Sequence, residues 1–231
     1  MGIVSSAHER ARALVIADIV AEARRQLATE GAAGLSVRAV ARSLGMASSA
    51  VYRYVPSRDE LLTTLIVEAY DALGAHVEAA ASGQESLWTR WRSACHAVRG
   101  WALEHPQEYA LIYGSPVPGY RAPSTTVTPA SRVVSVLTGI LLEAQRTGRA
   151  REVRVPTLPP SLSASMHDLA RSTEPQLPPA TIAAGLVAWA MLFGQVSFEV
   201  FGRLDGLVHD TEALFDHTVT TMAGLVGLTA T

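Results

Sequence analysis

The stretch Ser36–Leu62, SVRAVARSLGMASSAVYRYVPSRDELL, gathers hydroxyl and guanidinium side chains on two short segments. Ser48, Ser49, Tyr52, Arg53 and Tyr54 lie in the second segment, SSAVYRYV, and Arg38 and Arg58 flank it. Groups of this kind donate hydrogen bonds to phosphate oxygens and to base edges. At helical spacing, positions 48, 49, 52 and 53 share one face, and Val51 and Val55 take the opposite one. Valines inward and polar groups outward is the arrangement a groove-reading helix requires.

The neighbouring residues must hold that segment in place. Ser36 caps a first short helix, with Leu35 and Val40 spaced as a hydrophobic staple. Val37, Val40, Ala41 and Leu44 recur at helical spacing, and Gly45 follows the last of them as a stop. Ser57-x-x-Glu60 after Pro56 is a capping box that opens another helix at Arg58. Two short helices meeting at a glycine-containing turn, here over about 35–54, make a helix-turn-helix, whose second helix enters the DNA major groove. Ahead of them, Ser6-x-x-Glu9 starts a helix over Ala7–Glu30 that Gly31 ends, with Leu14, Ile16, Ile19, Val20, Ala23 and Leu27 in its inner stripe. The helix from Arg58 towards Ala80 would be about 35 Å long. It is long enough to tie a head over residues 1–73 to a second domain over 74–231, after a break at Ser82-Gly83-Gln84.

Composition and charge bound the rest. The 231 residues are 48% hydrophobic and 17% charged, which fits a well-buried soluble core. The formal net charge of −2 excludes a generally basic coat. The arginines are nevertheless skewed: residues 1–60 hold eight against six acids, a net of +2, and 61–231 hold eleven against fifteen, a net of −4. A local arginine patch suffices to neutralise phosphates. Cys95 is the one cysteine, so no internal disulfide forms, and a reducing cytoplasm fits.

No catalytic signature occurs: there is no G-x-S-x-G, P-loop, G-x-G-x-x-G or H-E-x-x-H. The histidines lack metal spacing, and adjacent Cys95 and His96 point about 100° apart on a helix. The chain therefore reads as a non-enzyme with no cofactor and no metal. After residue 85 the helical segments are Glu85–Glu104, Pro106–Tyr113, Ala130–Arg146, Ser161–Ser172, Ala180–Gly202 and Thr211–Leu225, with proline-rich stretches between them. No strand pattern is present, so the fold class is all-α. Trp88, Trp91, Trp101, Tyr109, Tyr113, Trp189 and Phe193 can serve either as plain core or as the lining of an apolar pocket. The almost wholly apolar segment 180–198 is long enough to span a bilayer. Its other reading is burial by its own domain and by a partner subunit.

The residues Ser36…Leu44-Gly45…Val51-Tyr52-Arg53-Tyr54…Pro56-Ser57-Arg58-Asp59-Glu60-Leu61 resemble the tetracycline-repressor (TetR) family of bacterial regulators over roughly Ala13–Leu73. Ala47, Val55 and Arg58 stand where that family often has serine, phenylalanine and lysine. Trp101-x3-His105-Pro106-x2-Tyr109…Tyr113-Gly114-Ser115-Pro116 looks like a TetR ligand-domain subfamily named for a Trp-His-Gly motif, with Phe193 in place of a histidine. The resemblance implies a homodimer on a pseudo-palindromic double-stranded DNA operator, released by a small, largely apolar ligand. It makes Tyr52 a phosphate contact, Arg58 a backbone contact and Arg38 a base or phosphate contact. It also implies that the last two helices pair with a second copy, through Ala190, Gly194, Phe198 and Phe215. The alternative is a membrane-attached protein using 180–198 as its span.

Overall fold

The computed structural model describes residues 2–83, 86–153 and 155–228, without the side chains of residues 2–7. Among these the secondary structure is helical throughout: α1 Gly2–Gly34, α2 Val37–Ser43, α3 Ser48–Val51, α4 Arg58–Ala81, α5 Leu87–Glu104, α6 Pro106–Tyr113, α7 Val127–Arg146, α8 Pro160–Ala170, α9 Pro179–Val200 and α10 Thr211–Leu225. The side chain of the predicted cap at Ser6 and the Gln84–Glu85 junction lie outside what is described. α1 begins at Gly2 and not at the expected Ala7, and Leu14, expected in its inner stripe, is exposed. The segment SSAVYRYV, read as one helix, is α3 followed by a turn.

The helix ends follow their residues. Ser36 is extended (φ −138°, ψ 118°), and its hydroxyl accepts from the Ala39 N–H at 3.4 Å. The Ser57 hydroxyl accepts from the Glu60 N–H at 3.1 Å, and Asp210 does the same for Ala213 at 2.8 Å. Pro106, Pro160 and Pro179 each open a helix, where a missing N–H costs nothing. Gly31 breaks α1 at φ 68°, a backbone state that disfavours any Cβ.

The chain packs as two compact units, and their membership differs from the boundary expected at residue 73. One unit is Met1–Asp71 with His105–Ala130; the other is Ala72–Glu104 with the remainder from Ser131. In the first, Ile19, Val20, Val40, Val51, Leu61 and Leu62 form the buried core. Leu111, Val117 and Tyr120, from α6 and its following loop, pack onto that core. Tyr120 shares a 2.9 Å hydrogen bond with the Thr63 hydroxyl, and the Tyr70 hydroxyl donates to the Ile112 carbonyl at 3.2 Å. The proline-rich segment after α6 therefore belongs in part to the head.

The second unit is a bundle in which α9 packs against α5, α8 and α10. Arg99 of α5 grips Glu199 of α9 with a two-bond fork, Nε to Oε2 at 2.7 Å and Nη2 to Oε1 at 2.6 Å. The same guanidinium lies 5.4 Å from the Phe215 ring centroid. Beside it, His96 Nε2 is 2.7 Å from Asp216, which also accepts from Arg92. Phe215, expected at the surface where a second copy would dock, is instead fully buried under this cluster.

The Arg99–Glu199 pair links stability to pH. The hydrogen-bonded Arg99 guanidinium holds the Glu199 carboxyl below the usual carboxylate range, against the opposing effect of burial. A depressed folded pKa contributes stability that is complete above the unfolded value, about 4.3, and is lost as pH falls through the folded one. These side chains are only 15% and 11% exposed. Glu199→Gln should therefore cost about 3 kcal/mol at pH 7, because it strands a mostly buried charge. Urea melts at pH 7 and again well below about pH 4 should show the gap between parent and variant closing on acidification.

Candidate nucleic-acid interface and ligand cavity

The α2–α3 turn has the geometry that its sequence dictates. Gly45 sits at φ +66°, and the Met46 N–H bonds the Ala41 carbonyl at 2.9 Å, which closes α2 in a left-handed stop. Ala47 offers no capping side chain, so α3 starts on backbone bonds alone: Ala50 and Val51 N–H both reach the Ala47 carbonyl. Val51 is fully buried and Val55 nearly so, which anchors α3 and its following turn. Arg38, Arg42, Ser49 and Arg53 are exposed, Tyr52 is 39% exposed, and Ser48 is half-buried. None of Arg38, Arg42 and Arg53 has a carboxylate partner among the described residues. The α2–α3 surface thus carries uncompensated guanidinium charge.

Two residues proposed for that surface are engaged elsewhere. Tyr54 is half-buried against the head's core, so its ring is packing. Arg58 spends its guanidinium on backbone carbonyls at the end of α1: Nε donates to Leu35 at 3.0 Å, and Nη2 donates to Ala32 at 2.9 Å and Ala33 at 3.2 Å. Those carbonyls are orphans left where Gly31 breaks the helix, and a planar fork satisfies several at once. Arg58 is therefore a staple between α1 and α4 and not a free cation. Sequence reading also missed two buried polar residues of α1, Glu22 and Gln26. The Gln26 carbonyl oxygen faces the Ser36 N–H at 3.5 Å, and polar residues inside an apolar stripe were the available signal.

The second unit holds a cavity of about 720 Å³. Leu137 and Leu141 of α7 and Ile182, Leu186 and Leu192 of α9 supply apolar wall, with Trp91 and Trp189 contributing indoles. Only those two members of the aromatic set line it. The Trp91 indole N–H donates to the Val219 carbonyl at 3.3 Å, tying α5 to α10. Phe193 lies behind Trp189, ring centroids 4.4 Å apart, and Trp88 and Trp101 are not in the lining. Tyr109 and Tyr113 belong to the other unit altogether, where Tyr113 meets Tyr109 at 5.2 Å and Tyr70 edge-on at 5.9 Å. Burial pushes the Tyr113 phenol up, as a group inside a protein core should be. Sequence reading overlooked the α7 wall and Glu174, which sits in the proline-rich stretch before α9.

The outward side of α9 is a continuous apolar stripe: Val187, Ala190, Gly194 and Phe198, with Phe201 just beyond. Its opposite side, Ala184, Ala188, Leu192 and Val196, is buried in the bundle. A Cβ built on Gly194 would meet nothing within 4 Å in its own subunit.

Comparison with known proteins supplies the family. Residues 19–65 match the family profile described as bacterial regulatory proteins, tetR family, and residues 91–222 match the one described as tetracyclin repressor-like, C-terminal domain. The chain is 40% identical over 212 residues to the HTH-type transcriptional regulator Rv1816 of Mycobacterium tuberculosis, covering 89% of each chain. Among solved structures, the regulatory protein SCO4313 superposes with a TM-score of 0.77 at 34% identity, over 94% of this chain and 98% of that one. RolR in complex with resorcinol shares the fold, with a TM-score of 0.55 at 14% identity over 96% and 92%.

Arg58 and Arg38 make contrasting predictions. Arg58→Ala should lower stability by about 2–3 kcal/mol, the range for bonds to a charged group, and leave the salt slope of DNA binding unchanged. Arg38→Ala should leave stability nearly intact and shallow that slope by about 0.9 if it neutralises one phosphate. Fluorescence anisotropy across several salt concentrations, beside thermal melts, reads both. A shallower slope for Arg58→Ala would return that residue to the DNA backbone.

Proposed function

Because this chain belongs to the tetracycline-repressor family of DNA-binding transcriptional regulators, we propose that it is a cytoplasmic homodimeric repressor released from its operator by a small, largely apolar ligand. Members of this family bind DNA operators and act as dimers. The observation that carries the DNA-facing part is the α2–α3 surface, where unpaired Arg38, Arg42 and Arg53 and exposed Ser49 and Tyr52 sit over buried Val51. The helix is short and shallowly rooted, so its side chains and not its backbone must do the reading. Tyr52 then contacts phosphate, and Arg38 a base or phosphate.

The dimer is read from α9. An apolar stripe of Val187, Ala190, Gly194 and Phe198 is costly to leave in water, and small residues at its centre let a second helix approach closely. α9 is one of two helices among the described residues long and apolar enough to cross a membrane, the other covering Ser124–Arg146. That gives a membrane-attached reading only weak support. One side of α9 is already committed to the bundle, and Glu199 at its end is held by Arg99. The cavity beside α9 supports ligand response, and RolR with resorcinol is an instance of a small molecule on this fold.

Two measurements bear on this. Tyr52→Phe removes one hydrogen bond to phosphate and should weaken operator binding by about 1 kcal/mol, with base preference unchanged. Arg38→Ala should cost about 1–3 kcal/mol and relax specificity if it reads a guanine. Gel shifts in which both variants bind like the parent would remove the α2–α3 surface from the interface. Gly194→Trp adds bulk only outside its own subunit, so it should shift the sedimenting species from dimer to monomer. An intact dimer of that variant would place the interface elsewhere.

A further inference from the structure

We propose that the ligand of the α7–α9 cavity is a hydrophobic monocation, and that Glu174 is the residue that selects its charge. This rests on the reading of the cavity as the ligand site and adds to it the ligand's chemical class. The lining is leucine, isoleucine, valine and tryptophan over most of its area, with polar groups confined to a few positions. Not one lining residue is arginine or histidine, and the sole ionisable one is Glu174.

The polar groups are not equally available. The Ser172 hydroxyl is spent on the Leu169 carbonyl, and Thr173 both donates to Ala170 and accepts from the Leu177 N–H. Two arginines of the bundle are also committed: Arg90 pairs with Glu143, and Arg171 with Asp168. Glu174 pairs with none of the described residues. Among the described residues the cavity therefore offers one carboxylate, on the exposed Glu174, two indoles, the hydroxyls of Ser135, Thr138 and Thr181, and no guanidinium or imidazole. An anionic ligand would leave water for apolar walls, find no counter-charge and meet a like charge, each of which is unfavourable. A cation would meet the carboxylate, with the indoles of Trp91 and Trp189 in the same lining. The volume, about 720 Å³, accommodates a ligand of drug size, so an alkyl or aromatic body with one ammonium head fits.

The test uses three probes with one decyl body: decyltrimethylammonium, decanol and decanoate, each below its micellar concentration, titrated into the full-length protein with tryptophan emission and calorimetry as readouts. The expected order of affinity is cation first, then alcohol, with decanoate at least tenfold weaker than the cation. Glu174→Gln should lower the cation's affinity about tenfold and leave decanol unchanged. Glu174 is exposed and pairs with none of the described residues, so the variant should fold. Gly139→Phe checks the location: Gly139 lines the cavity, and a Cβ there meets nothing within 4 Å, so the ring fills the space and should abolish binding of every probe. Decanoate binding as tightly as the cation, or a Glu174→Gln protein that keeps its preference, overturns the charge assignment while the cavity stands. Probes that bind Gly139→Phe like the parent, or fail to bind the parent at all, overturn the cavity reading itself.

Discussion

The constraint on which the head depends is the brevity of α3. A single helical turn cannot stand by itself, since its first hydrogen bonds barely offset the cost of fixing the backbone. Its outward face is polar, so burial can stabilise it only from beneath. Val51 and Val55 supply that burial, and the Ala47 carbonyl supplies the first acceptor. Everything around α3 serves to keep those two valines in place. α1 and α4 form the floor, Gly45 sets the entry angle, and Arg58 fastens the frayed end of α1 to the start of α4. A residue read as a hand for DNA is thus part of the wrist.

In the second unit one helix is used on three sides. α9 is apolar around its whole circumference, and its faces are assigned by neighbours. Ala184 and Val196 lie in the bundle, Ile182, Gly185 and Trp189 border the cavity, and Val187 and Phe198 face outward. Arg99 fixes its last turn through Glu199. A molecule in the cavity therefore presses on the same rigid element that carries the outward stripe. That is a physical route by which occupancy and subunit pairing can share free energy.

The helix-turn-helix was legible because its signals are local: a cap at Ser36, a stop at Gly45, a box at Ser57 and valines four apart. The helix pattern beyond it was legible for the same reason, to within a few residues at each end. Arg58 was not, because its acceptors are main-chain carbonyls some two dozen residues away, and spacing carries no trace of them. The aromatic set failed as a guide to the cavity because ring count does not say which of two cores a ring enters. Tyr109 and Tyr113 went to the head, and Phe193 to the layer behind Trp189. The cavity itself is a shortage of atoms between α7 and α9, and no residue type marks it. Glu174 lay in a stretch without periodicity, where there was no face to assign it to.

The return of His105–Ala130 to the head has a consequence for how the chain can be divided. The polypeptide leaves the head along α4, builds part of the bundle, and comes back before leaving again. A contiguous fragment ending near Asp71 would keep every residue of the α2–α3 surface yet lack Leu111, Val117 and Tyr120, opening apolar core to water. Chimeras that join such a fragment to a foreign bundle would inherit the same hole unless the α6 segment travels with it. Folding carries the same imprint. Thr63 meets Tyr120, 57 positions further along the chain, so the head cannot be completed until all of α5 and α6 have been made. On a ribosome that ordering delays the finished DNA-facing unit until well after its own recognition residues have emerged.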